Sequence, residues 1–283
     1  MIDLHTHSSV SDGSDPPARI PELAAAAGCS AVALTDHDSI AGLAEARASA
    51  EHAGVTLVNG CEVSCLPDGL PTGSSIHVLA YFIEGEEGPL QEELRRLRAD
   101  RLSRNKRLAV RLAELGMPVD YDAIAAAAGG EEGLGRPHFA RALVEMGAAV
   151  DISDAFERFL GNGKAAYIPK GRLRPSEVAG LARASGAVTV LAHPFSLGLP
   201  VADLAAVALE LKAAGFSGFE SIYARYSPEE RSELVQVARD AGLVPTGGSD
   251  YHGSFKPGLS VGLGSGDLDV PDDVLGELAS RRS

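Results

Sequence analysis

Short apolar runs recur along the chain, each closed by a polar cluster and followed by a stretch with apolar residues at helical spacing. Ile2-Asp3-Leu4-His5 reads as a first strand, and a helix near 17–27 follows, opened by Ser14, Asp15 and two prolines and closed by Gly28. Residues 30–35 begin a second unit whose helix, near 40–53, ends at Gly54. Residues 55–60 read as a third strand and 75–83 as a longer fourth. Beyond residue 165 the rhythm resumes: helix 176–185, strand 187–192, helix 201–214, strand 218–223, helix 228–241, strand 243–248 and a last helix near 271–281. Each strand is a nearly continuous apolar run, as a parallel sheet covered on both faces requires. The pattern predicts seven strand–helix units.

Residues 88–164 break this rhythm with several helical patterns in a row and no strand, so they are expected to form a small inserted helical domain. The barrel domain is then 1–87 together with 165–283. The first inserted helix, near 89–115, has an apolar stripe at Leu90, Leu94, Leu97, Leu108 and Leu112. Arg101 and Arg104 fall on that stripe where leucine is expected, with Asn105 beside them, which predicts that they face an anion. A second helix opens at Arg136-Pro137-His138, where free backbone N–H groups also favour an anion. Ser153 is expected to cap a short helix ending at Gly161.

Composition narrows the class. Of 283 residues 45% are apolar and only 5% aromatic, a core of Ala, Val, Leu and Ile suited to helices packed on buried strands. The net charge of −14 excludes a protein that grips a long nucleic-acid duplex through a basic surface. The insert is neutral, with 12 Lys and Arg against 12 Asp and Glu, so the remainder carries the whole excess. No run is apolar over the length of a membrane span, and Met1 leads straight into a strand. A cytoplasmic protein, free of membrane and of any obligate protein partner, is the expectation. Cys29, Cys61 and Cys65 form an odd set, read as buried reduced thiols.

The chemistry lies at the strand ends, where barrel enzymes build their sites. His5 and His7 stand two apart on one face of the first strand, and the turn Ser11-Asp12-Gly13 returns a carboxylate toward them. The second strand ends in Thr35-Asp36-His37-Asp38, the third in Glu62, the fifth in His193-Pro194 and the seventh in Ser249-Asp250-Tyr251-His252. His77 begins the fourth. Six imidazoles and three carboxylates gathered in this way point to transition-metal binding, and such a donor set suits Mn, Fe or Zn.

These motifs, in this order, resemble those of the polymerase-and-histidinol-phosphatase (PHP) family. The resemblance implies an α/β fold with a distorted seven-stranded (β/α)7 barrel, in agreement with the count of units. It also implies three divalent metal ions, Mn ahead of Fe or Zn. One would be held by His5, His7, Glu62 and Asp250, a second by Glu62, His77 and His193, and a third by Asp12, His37 and His252. The helical insert, with Arg101, Arg104, Asn105, Arg136 and His138, is similar to that of the branch that dephosphorylates nucleotides such as 3′,5′-bisphosphates or trims short RNA from the 5′ end. Those five residues are the expected substrate contacts, joined by Arg225 because it follows the sixth strand. Asp36, His193 and Asp250 are the expected catalytic residues, Asp36 acting from beside His37 unless it is a helix cap.

The predicted reaction is phosphoester hydrolysis on a small phosphorylated substrate by a metal-bound hydroxide, without a phosphoenzyme. Rivals are a phosphatase for histidinol phosphate or another small molecule, a metal amidohydrolase and a non-catalytic module. Many amidohydrolase barrels bridge their metals with a modified lysine. None of Lys106, Lys164, Lys170, Lys212 and Lys256 ends a predicted barrel strand, whereas Glu62 is available to bridge.

Overall fold

The computed structural model describes residues 1–67, 76–131 and 133–282. Seven strands form one sheet in chain order: β1 (Ile2–Asp3), β2 (Ala31–Leu34), β3 (Thr56–Cys65), β4 (Ile76–Tyr81), β5 (Val188–Leu191), β6 (Gly218–Tyr223) and β7 (Val244–Gly248). The sheet curls until its edges meet. Leu4 N donates to Gly247 O at 3.1 Å and Asp250 N to His5 O at 2.8 Å, which makes a nearly closed barrel. Asp3 seals the seam by accepting from the backbone N–H groups of His5, Ser249 and Gly262. Gly248 is required there, because a Cβ would lie 2.5 Å from both the nitrogen and the Cβ of His5.

One feature departs from an all-parallel barrel. β4 runs antiparallel to both β3 and β5, and all other pairings are parallel. A fully buried strand is apolar throughout whichever way it runs, so periodicity carries no direction. The reversal explains His77: the start of β4 lies at the same barrel end as the C-termini of the parallel strands.

Outside the sheet pack α1 (Arg19–Ala26), α2 (Leu43–Ala53), α7 (Pro175–Ala184), α8 (Val201–Ala213), α9 (Pro228–Asp240) and α10 (Asp273–Ala279). Between β4 and α7 come α3 (Pro89–Glu114), α4 (Tyr121–Ala127), α5 (Arg136–Glu145) and α6 (Ile152–Ala155), the last running on into a π-helical turn over Phe156–Leu160. Asp151, whose carboxylate accepts from Asp154 N, caps α6 in place of the expected Ser153, which lies within the helix. The 26-residue α3 serves two cores. Its Leu90, Leu94 and Leu97 pack with the sheet and outer helices, whereas Leu108 and Leu112 pack with Phe139, Leu143 and Leu160. Among the described residues no helix is long and apolar enough to cross a membrane.

Candidate metal centre

His5 and His7 leave β1 on one face, as their spacing predicts, and both are fully buried. The chain after β2 stays paired to β3, with Asp38 N donating to Glu62 O at 3.0 Å, and this holds His37 against Glu62. Glu62 is central. Its Oε2 lies 3.4 Å from His5 Nε2, 3.2 Å from His7 Nε2 and 3.1 Å from His37 Nδ1; its Oε1 lies 2.9 Å from His77 Nδ1 and 3.0 Å from His193 Nε2. Asp250 Oδ1 approaches His5 and His7 at 3.5 and 3.3 Å. Asp12 reaches His252 Nε2 at 3.2 Å and His37 Nε2 at 3.6 Å. All nine residues expected as ligands therefore meet in one cluster.

The donor set fits divalent ions. Ligands about 2.1 Å from one ion stand roughly 3.0–3.4 Å apart in octahedral or tetrahedral arrangements, the range that most of these atom pairs show. Three overlapping groups offer donor atoms within 4.8 Å of one another: His5, His7 and Asp250; His37, Glu62 and His77; and His7, Asp12, His37 and His252. The buried Nδ1 atoms of His7 and His37 have no hydrogen-bond partner. The imidazoles are also oriented. His5 Nδ1 donates to Glu220 Oε1 at 2.8 Å and His252 Nδ1 to the Asp250 carbonyl at 2.9 Å, so each turns an Nε2 lone pair into the cluster.

Electrostatics follow from the same crowding. Burial favours a neutral Glu62, but His37, His77 and His5 around it hold its carboxyl well below the usual range. Burial likewise works against a charged His7, yet Asp250 and Glu62 bring it up to about 9. His37 is pushed down to about 3, chiefly by burial. Among the described residues, three of the four non-glycine residues at positive φ, namely Asp38, His193 and Asp250, belong to these strand ends. Backbone strain of this kind persists where the surroundings over-determine a site.

Several supporting residues had no role assigned from the sequence. Glu220, fully buried in β6, holds the His5 ring and also accepts from His193 N at 2.6 Å. Its signal was present, a lone acid inside an apolar strand like Glu62. Tyr223 Oη donates to Asp250 Oδ2 at 2.6 Å, and Lys256 pairs with the same oxygen. Lys170 pairs with Asp38 and donates to Ser64 Oγ at 3.3 Å. Asp36 is not a helix cap, since α2 begins only at Leu43. It accepts from Ser8 N, Ser8 Oγ and Ser11 Oγ at 2.9, 2.7 and 2.6 Å, and so shapes the turn that presents Asp12.

Beside the cluster opens a cleft of about 310 Å³, with Asp12, His37, His77 and His252 on its wall. Arg101, Arg104, Arg136, Lys170, Arg172 and Lys256 line it, and Asp12 is its one carboxylate among the described residues. Arg104 is 5% exposed and its Nε has no partner; burial first, then Arg136 and Arg101, push its guanidinium down to about 9. Three expected contacts sit elsewhere. Asn105 is fully buried and donates its amide to Leu134 O at 2.6 Å, outside the cleft lining. His138 spends Nδ1 on Gly135 N, 3.1 Å away, and packs behind Phe255, which does line the cleft. Arg225 is exposed and absent from the lining, because the turn after β6 sends its side chain to solvent while Tyr223 faces Asp250.

Comparison with known proteins agrees with this architecture. The PHP domain model matches residues 3–114. A 3′,5′-nucleoside bisphosphate phosphatase of Chromobacterium violaceum is 33% identical over 92% of this chain and 90% of its own length. A 5′-3′ exoribonuclease of Haemophilus influenzae is 31% identical over 96% of both. Among solved structures, a protein of Bifidobacterium adolescentis titled a metal-dependent phosphoesterase superposes with a TM-score of 0.84 at 32% identity, covering 100% of this chain and 96% of its own. One of C. violaceum titled an amidohydrolase, with sulfate bound and no metal, gives 0.85 at 31% identity, covering 99% and 96%. With its strand-end histidines and acids in place, the chain belongs to the PHP family of metal-dependent phosphoesterases.

Proposed function

We propose that the cluster holds three divalent ions, Mn ahead of Fe or Zn, and that the enzyme hydrolyses phosphomonoesters of nucleotides such as 3′,5′-bisphosphates, or short RNA from its 5′ end. The observation that carries this reading is the cleft: six cationic side chains beside the ligand cluster in a protein of net charge −14. A site for one small phosphate needs fewer; a substrate with two phosphates uses them.

We assign His5, His7, Glu62 and Asp250 to one ion, Glu62, His77 and His193 to a second, and Asp12, His37 and His252 to a third. Ions held there supply the positive charge that acidifies a water molecule and offsets charge on phosphoryl oxygens. Glu220 fixes the proton of His5 on Nδ1, and Tyr223 with Lys256 holds Asp250. Arg101, Arg104 and Arg136 bind the part of the substrate that does not react, by charge-assisted hydrogen bonds. Overall, a water oxygen bonds to phosphorus, the ester P–O bond breaks and the alcohol leaves with a proton. No side-chain nucleophile is needed: burial pushes the Cys61 and Cys65 thiols well up, and both are buried. An amidohydrolase of the lysine-bridged kind is disfavoured, because Lys170 and Lys256 pair with Asp38 and Asp250 while Glu62 spans the histidines. The helices from 88 to 164 act as an inserted unit that supplies arginines to the cleft, and three free buried cysteines suit the reducing cytoplasm.

A panel of nucleotides, 3′,5′-bisphosphates, short RNA, histidinol phosphate and amides, assayed with Mn, tests the reading. Phosphate or nucleotide release from the nucleotide set supports it. Preference for histidinol phosphate, or ammonia from amides with phosphoesters left intact, overturns it.

A further inference from the structure

A second cavity of about 340 Å³ opens between the start of α2, the loop after β4 and the first half of α3. Among the described residues it shares no lining side chain with the catalytic cleft. The ion pair between Asp38, which lines this cavity, and Lys170, which lines the cleft, stands between the two.

Each helix turns one face to the cavity. On α3, Gln91, Leu94, Arg95 and Arg98 stand three, four and seven residues apart, a single stripe of a helix. On α2, Arg47 lies one turn beyond Leu43 and Ala44, which also line the wall. Three arginines thus gather around one hollow in a protein of net charge −14. Arg95 is held in place by Nη1, which donates to Glu86 O at 2.8 Å. Of the acids in the lining, Asp38 is paired with Lys170 and Glu86 is exposed at the edge. No side chain caps α2, so the positive end of its dipole adds to the field of the arginines. Ile40, Ile83 and Leu94 supply an apolar side.

Gln91 adds a second kind of signal. It is 1% exposed, and its Nε2 donates to Glu84 O at 3.0 Å, which sets the orientation of the amide. Its Oε1 is buried without a hydrogen-bond partner. Such an acceptor is rare in a folded protein and calls for a donor.

We infer that this cavity is a binding site, separate from the catalytic cleft, for a small organic phosphate that carries a hydroxyl group. Arg47, Arg95 and Arg98 take the phosphate through charge-assisted hydrogen bonds. Gln91 Oε1 accepts from the hydroxyl, and Ile40, Ile83 and Leu94 pack against the carbon skeleton. Three guanidinium groups favour a dianionic phosphate over a singly charged carboxylate. The volume lies at the lower end of the range for small-molecule sites, roughly 300–1,000 Å³. The site does not depend on which phosphoester the cleft hydrolyses.

Calorimetric titration of the Mn-loaded protein with benzylphosphonate and with α-hydroxybenzylphosphonate tests this, since a C–P bond is not an ester and survives the enzyme. The wild type is compared with the double variant Arg47→Gln/Arg95→Gln. Both residues are exposed, so the substitutions spare the core. The wild type binds two molecules per chain, one at the metal cluster and one in the groove, and the hydroxylated probe binds the groove more tightly. In the variant the groove site weakens roughly tenfold or more, as expected for loss of charge-assisted contacts. Binding at the cluster and hydrolysis of a small aryl phosphate stay unchanged. Binding that the double substitution leaves intact, at one site or at two, overturns the proposal. Equal affinity of the two probes for the groove overturns the part given to Gln91.

Discussion

At the scale of single residues, the proposed metal ligands were legible because a histidine or acid closing an apolar strand has no packing reason to be there. The supporting residues were less so. Tyr223 looks like any strand-end aromatic, and only the fold brings its hydroxyl to Asp250 across 27 residues of sequence. Tyr223→Phe should lower metal affinity or turnover by roughly 10–100-fold, the range for removing an outer hydrogen bond to a ligand. Manganese titration followed by kinetics checks this, and a variant equal to wild type would make the bond incidental. Arg104 tests the cleft. Arg104→Ala should keep its metals and its hydrolysis of a small aryl phosphate, while kcat/KM for a nucleoside bisphosphate falls by roughly 10–150-fold. Equal losses on both substrates would point to damaged folding or a direct part in the reaction. Asn105 and Arg225 show the limit of reading by position: one helix step turns Asn105 to Leu134, and an exposed turn carries Arg225 away.

At the scale of elements, strand number and order were readable from apolar runs, whereas the direction of β4 was not. Direction is set by connections, and β3 and β4 pair as a hairpin over residues 60–65 and 76–81. The leucine stripe of α3 was visible as one face, but the sequence could not show that the face serves two cores. Leu97 packs beneath the outer helices and Leu112 within the inserted helices, each fully buried. Leu97→Ala and Leu112→Ala should therefore each cost about 2–5 kcal/mol in denaturant unfolding. A loss below about 1 kcal/mol at either site would show that α3 does not anchor that core.

At the scale of the whole molecule, an acidic body surrounds a cation-lined cleft and a buried cluster of carboxylates and imidazoles. The net charge of −14 opposes long polyanions at the surface, while six cationic side chains line the cleft. Surface and cleft thus act in opposite senses, and the composition alone shows only the first. Nine candidate ligands exceed what one ion can use, so the number of ions the protein takes up is decisive. Elemental analysis after saturation with Mn and removal of the excess measures this directly. More than one ion per chain, approaching three, is the expected result; a ratio at or below one would contradict the proposed multinuclear centre.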